Sequence, residues 1–291
     1  RRRLDQIKHE KWLVILLVVT YLDDSSMLIH SSCPSNKFLK NTKYSNNIDS
    51  DGDGYTDRQE IQAGTDPKDE YSLIYQGYWP YNSNKEVILD PGFGKCPQAN
   101  GCECSSSSSC PENSECSQLN RGKYCIPKVG SRVPRFIGVD QFGDQFDLYD
   151  LANQGKPILI EIGTTWPQTC KDFSAWRSYV NENALNQGWW KDKFTGIRDY
   201  IDNSNIYWVH IIHLDDDRNP ATFDTIDDWY LKYPHDNIIY LADPDAKMKT
   251  WVRPTAYPCL IFVDENMNLQ VHTLRGVEDA IDAVYDRLES E

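Results

Sequence analysis

Among the 291 residues there is no Cys-x-x-Cys pair, no glycine-rich phosphate loop and no G-x-S-x-G elbow, and no cluster of basic side chains follows the first dozen residues. The first absence removes the ordinary dithiol redox motif and the commonest zinc-ligand spacing. The next two leave no cradle for nucleotide phosphates and no serine-hydrolase nucleophile. The last, with a net charge of −14, argues against nucleic acid and against anionic membrane surfaces as partners. Long apolar runs are also missing. The longest is Trp12 to Leu22, well short of the roughly 20 residues a membrane-spanning helix needs. Arg1, Arg2, Arg3, Lys8 and Lys11 flank it, and together they read as the basic and apolar regions of an export leader over residues 1–33. The chain opens without a methionine, so a fragment or a displaced start is expected.

Cysteine is present, and its placement is uneven. Six of the nine fall in one stretch, at Cys96, Cys102, Cys104, Cys110, Cys116 and Cys125, spaced by Gly, Ser, Pro and Asn. Such a segment cannot build an apolar core, so cross-links must hold it, which places the chain in an oxidising, extracytoplasmic compartment. Zinc is the rival reading, but no histidine stands nearby. Three disulfides closed among the six are expected; fifteen pairings satisfy that parity. Cys33 is left over after Leu28-Ile-His-Ser-Ser32. It resembles the lipidated cysteine of a bacterial lipoprotein, which implies membrane attachment through Cys33; a free or modified thiol is the alternative, and the sequence leaves both open.

Asp49-Ser-Asp51-Gly-Asp53-Gly54-Tyr55-Thr-Asp57-Arg-Gln-Glu60 fits D-x-D-x-D-G-x5-E at every constrained position. Calcium takes six to eight hard oxygens, and carboxylates at alternate positions converge where a loop coils around the ion. The expected Ca2+ ligands are Asp49, Asp51, Asp53, the Tyr55 carbonyl and Glu60, with Asp57 direct or through water. Residues 41–47 show no helical period, and Gly64-Thr-Asp-Pro67 stops any following helix within two turns. A paired EF-hand is therefore not expected. The stretch Asp49 to Pro67 resembles a bacterial thrombospondin type 3 repeat, which implies a structural calcium loop in an extracellular stalk.

Residues Ile158-Leu-Ile-Glu-Ile-Gly-Thr-Thr-Trp-Pro-Gln-Thr-Cys170 read as a buried strand, a turn and the start of a helix. A hairpin about Gly143 precedes them. Downstream come helical segments over Asp172 to Asn203 with a break at Gly188, a strand from Ile206 to Leu214, a helix from Ala221 to Leu231 and a strand from Ile238 to Leu241. Pro258-Cys-Leu-Ile-Phe-Val-Asp264, a hairpin strand through His272 and a helix from Val277 to Leu288 complete the order. From Val129 to Glu291 this resembles the redoxin branch of the thioredoxin-like superfamily. The resemblance implies an α/β fold, a mixed sheet with helices on both faces. It implies that Cys170 fills the second cysteine position, with Pro167 where the first is expected, and that Glu161 is the buried acid beneath it. It also implies a cis-proline at Pro258, for which Pro254 is the rival. Candidate catalytic residues are thus Cys170, Glu161 and Pro258, with Cys259 as a partner thiol if strand alternation lets it share the face of Cys170.

The other constellations read as structure. His210 and His213 stand three apart on a strand and point to opposite faces, so they cannot share an ion. Trp189-Trp190 and Trp229-Tyr230 read as core. Tyr75, Tyr78, Trp79 and Tyr81 mark an aromatic connector over 71–95, expected to pack the calcium loop onto the rest. The segments are therefore a leader (1–33), a calcium-loop segment (34–70), the connector (71–95), a disulfide-rich module (96–128) and the thioredoxin-like domain (129–291). Two functions compete. One is a non-catalytic binding or structural module for a protein ligand. The other is a thiol-disulfide oxidoreductase acting on protein thiols or disulfides through Cys170.

Overall fold

The computed structural model describes residues 48–63, 65–69, 72, 74 and 79–290. The leader, Cys33 and the connector tyrosines Tyr71, Tyr75 and Tyr78 lie outside the described residues.

A five-stranded sheet organises the C-terminal half. Its centre is β5 (Ile158–Gly163), an apolar run buried on both faces, as a central parallel strand requires. β6 (Tyr207–Ile212) and β7 (Ile238–Ala242) run parallel on one side of it; on the other, β8 (Cys259–Val263) pairs antiparallel with β5 and β9 (Leu269–Val271) antiparallel with β8, in the order β7-β6-β5-β8-β9. This is the thioredoxin-like arrangement, a mixed sheet with flanking helices.

Strand alternation divides the core in two. On one face Leu159, Trp208, Ile212, Tyr240 and Leu260 meet α2 (Gln168–Arg177), α3 (Ile197–Asp202), α4 (Phe223–Lys232) and α6 (Glu278–Glu289). On the other Ile160, Val209, Leu241 and Ile261 meet α5 (Lys247–Val252) and the hairpin of β3 (Ile137–Val139) and β4 (Gln145–Asp147).

The helical stretch expected over Asp172 to Asn203 breaks earlier and more fully than a single glycine would cause. α2 ends at Arg177, and Tyr179 takes a left-handed backbone at φ 57°. Short 3-10 turns then carry the chain to α3. Aromatic contacts hold the segment after the break: Trp190 packs against both Trp176 and Phe194, and Trp189 against Phe173.

Upstream, α1 (Asp57–Ala63) closes the calcium-type loop, and the Gln145 side chain donates to the Asp53 carbonyl at 3.2 Å. Within the connector, Trp79 donates to Asp140 at 2.8 Å and packs on Phe142 and Phe146. The six clustered cysteines pair among themselves, as Cys96–Cys102, Cys104–Cys116 and Cys110–Cys125. They staple a hairpin of β1 (Ser114–Leu119) and β2 (Gly122–Pro127). This knot sits tightly on α5: a Cβ at Gly101 (φ 81°) would stand 2.5 Å from Thr250, so only glycine fits there.

Candidate functional site

Cys170 lies in the first turn of α2, where a thiol facing solvent would gain from the free N–H groups and the helix dipole. It faces inward instead and is fully buried. Burial, and then the charge of Glu161, push its pKa well above the ordinary thiol value, against a backbone hydrogen bond from Thr164 and the Arg177 charge. Reactivity follows thiolate content and access, and both are low at this sulfur.

Glu161 is on the same face of β5, fully buried, and it is not alone. Arg177, seven residues past Cys170 on α2, forms a buried ion pair with it. The Trp208 indole donates to the same carboxylate oxygen at 3.1 Å, and His210 Nε2 is 3.6 Å from the other. The guanidinium also donates to Ser174 at 3.0 Å and lies 4.6 Å from the Trp208 ring centre. Burial opposes the Glu161 charge, but Arg177 and His210 outweigh it and hold the carboxyl below its ordinary pKa. A carboxylate held ionised by an arginine is a poor proton carrier at neutral pH. Gly163 makes room for this cluster, since a Cβ there would stand 2.4 Å from His210 Nε2. The sequence reading found Glu161 but missed Arg177 and the part played by His210. The available signal was the spacing Cys170, Ser174, Arg177, which is one helical face.

Cys259 is also a free, buried thiol, but it belongs to the opposite face of the sheet, with Ile261 and Val263. Its Sγ donates to the Thr273 carbonyl at 3.3 Å, and burial pushes its pKa up to about 12. The alternation of β8 thus separates it from Cys170.

The Tyr257–Pro258 bond is cis. The Thr169 hydroxyl donates to the Tyr257 carbonyl at 2.9 Å and ties this loop to α2. His213 turns toward the same place. Its Nδ1 donates to the Gly163 carbonyl at 3.0 Å, which leaves Nε2 to accept from the Tyr257 hydroxyl at 3.2 Å. His210 and His213 are therefore in separate environments. At the surface of the turn stand Trp166, 39% exposed, and Pro167.

The acidic loop is wound as its spacing predicts. Asp49 accepts the N–H groups of Gly52 and Gly54, Asp51 that of Asp53, and Asp53 that of Tyr55. Gly52 and Gly54 take left-handed backbone at φ 81° and 96°. One oxygen each of Asp49, Asp51 and Asp53 lie within 4.8 Å of one another. The second oxygens of Asp51 and Asp53 and both oxygens of Glu60 are buried without a hydrogen-bond partner. Burial, then the charges of Asp53, Asp51, Asp57 and Asp49, push the Glu60 carboxyl up to about 7. Buried orphan carboxylate oxygens facing like charges are unfavourable without a cation, so the donor set fits calcium, which would neutralise the acids and fix the loop. Asp57 also braces the loop. Its two oxygens accept from the Ser50 N–H and hydroxyl, each at 2.9 Å, making it a tie across the loop.

A family profile for the bacterial TSP3 repeat matches residues 49–70. No curated protein matches the sequence. Among solved structures, the chain is similar to an exposed lipoprotein thioredoxin of Streptococcus pneumoniae, at 17% identity over 54% of this chain and 99% of that one, with a TM-score of 0.38. A secreted disulfide oxidoreductase of Mycobacterium tuberculosis shares 18% identity over 54% and 96% of the two chains, with a TM-score of 0.34. The thioredoxin domain of a thiol-disulfide oxidoreductase of Bacteroides vulgatus shares 17% over 56% and 96%, with a TM-score of 0.35. At such values the fold assignment rests on strand order and core. Among the described residues no helix is long and apolar enough to cross a membrane.

Proposed function

We propose that this chain is an extracytoplasmic binding module on a thioredoxin-like scaffold, braced by calcium and a disulfide knot, and without thiol-disulfide catalysis. One observation carries the reading: Cys170 is sealed above an arginine-neutralised Glu161, while the other free thiol among the described residues, Cys259, lies on the opposite face of the sheet. Dithiol exchange needs an exposed thiolate and a resolving thiol within reach. Pro167 occupies the helix N-cap, where the first cysteine of the motif would be most activated. Calcium at Asp49, Asp51, Asp53, the Tyr55 carbonyl and Glu60 supports a structural role for the loop, because it joins the domain through Gln145 rather than through a mobile helix pair. A lipidated Cys33 would tether the module to a membrane, and the mass of the mature N-terminal peptide decides that point.

The competing oxidoreductase reading uses Cys170. Insulin disulfide reduction by the full chain and by Cys170→Ser separates the two. The proposal expects the same background rate for both proteins. Turnover by the wild type that disappears in the variant would establish the enzyme.

A further inference from the structure

Four basic side chains from three separate stretches of the sequence converge beside the turn that carries Trp166. Arg121 comes from the tip of the disulfide-knot hairpin, Arg218 from the loop after β6, and Lys249 and Arg253 from α5 and its end. They line one open cavity of about 540 Å3 with Tyr124, Trp166 and Tyr257. No carboxylate lines it. Among the described residues none of the four cations makes an ion pair, in a protein of net charge −14. Of the acids near them in sequence, Asp216 pairs with Lys171, Asp215 accepts from Asn219, Asp243 accepts three N–H groups at the start of α5, and Asp217, directly before Arg218, does not line the cavity. The expectation that no basic cluster follows the first dozen residues therefore fails in three dimensions.

The cations are also held in place. The Arg253 guanidinium is 3.9 Å from the Tyr124 ring centre and that of Arg218 is 5.0 Å from the Trp166 ring centre. Stacking fixes the planar forks and leaves their N–H edges for an oxyanion. Arg218 and Arg253 stand on left-handed backbone at φ 66° and 59°, a conformation unfavourable for a non-glycine residue. Burial, then the Arg253 charge, lower the pKa of Lys249 against the opposing charge of Asp243.

We propose that this cavity binds a small polyanion, a molecule with two or more carboxylate or phosphate groups and a body that stacks on Trp166 or Tyr257. The volume suits a small molecule, larger than a lone inorganic ion and within the usual range of ligand pockets. Separated guanidinium forks suit divided anionic groups. The inference supplies a ligand class for the binding module proposed above and rests on that reading.

The test uses the full chain and isothermal titration at low ionic strength, where screening is weakest. The probes are citrate, pyrophosphate and a triglutamate peptide, run against wild type, R121Q/R218Q and the distant surface variant K232Q. Arg121 and Arg218 are both exposed, so the double variant keeps the core, and an unchanged thermal melt verifies it. Saturable millimolar-or-tighter binding of citrate or pyrophosphate is expected, with K232Q unaffected and the double variant weaker by at least about tenfold. Preference between the two probes assigns carboxylate or phosphate. Binding of the peptide alone overturns the small-molecule class, and no saturable binding, or binding that R121Q/R218Q leaves intact, overturns the site. Thiol labelling of the same samples keeps the two proposals apart. Absent binding with Cys170 protected removes only the pocket, and intact binding with Cys170 labelled removes only the non-catalytic reading.

Discussion

Replacing Arg177 by methionine removes the counter-charge of Glu161 and leaves the carboxylate in the core. Both side chains are fully buried. What remains around Glu161 is the Trp208 indole at 3.1 Å and His210 at 3.6 Å, and burial lowers the pKa of that histidine to about 4, so it is neutral at pH 7. Breaking a buried pair from one side costs about 3–5 kcal/mol, a large share of the ~5–15 kcal/mol of a typical domain. Urea unfolding at pH 7 is expected to show a loss of that size, with an unchanged slope. E161Q/R177M, which removes both charges, should recover most of it. The pH dependence carries a sign. In the wild type the Glu161 pKa lies below its ordinary 4.5, so its contribution is present above that value and lost as pH falls through the lower folded value. In R177M burial acts almost unopposed and the folded pKa rises, so the deficit against wild type should be largest at neutral pH and shrink as pH falls toward 4.5. A loss under 1 kcal/mol, or a deficit independent of pH, would refute a charged, arginine-paired Glu161.

Other parts of the molecule give independent tests. Calcium at about 100 times its Kd should stabilise the full chain by about 2.7 kcal/mol, read as a rise in melting temperature, and E60Q should remove that rise. Gly163→Ala should destabilise by about 1–3 kcal/mol, because the new methyl would stand 2.4 Å from His210 Nε2; denaturant midpoints measure it. His210 and His213 both have folded pKa values of about 4 against an ordinary 6.5. The unfolded chain therefore binds up to two protons that the native one does not, and stability should fall as pH drops from 6.5 toward 4, with a slope up to about 2.7 kcal/mol per pH unit. A flat profile in that window would place both rings in solvent.

The sheet was legible because its strands are short apolar runs in a recognisable order, and the calcium-type loop because its ligands are contiguous. What the sequence withheld are relations between distant positions. Glu161 and Arg177 meet only because a strand and the following helix pack face to face. The two free cysteines are separated by the parity of β8, and the direction of that strand after Pro258 is a tertiary fact. The basic pocket draws on the knot, a loop and α5, so no window along the chain contains it. The break after Arg177, with Tyr179 on left-handed backbone, lies inside a stretch whose pattern reads as helical.

Thiol accessibility tests the absence of catalysis most directly. Native full-length protein, treated with iodoacetamide and mapped by mass spectrometry, should carry no label on Cys170 or Cys259, and both should label fully after denaturation. Rapid labelling of Cys170 in the native state, with Cys259 still protected, would contradict the account and return the chain to the oxidoreductases.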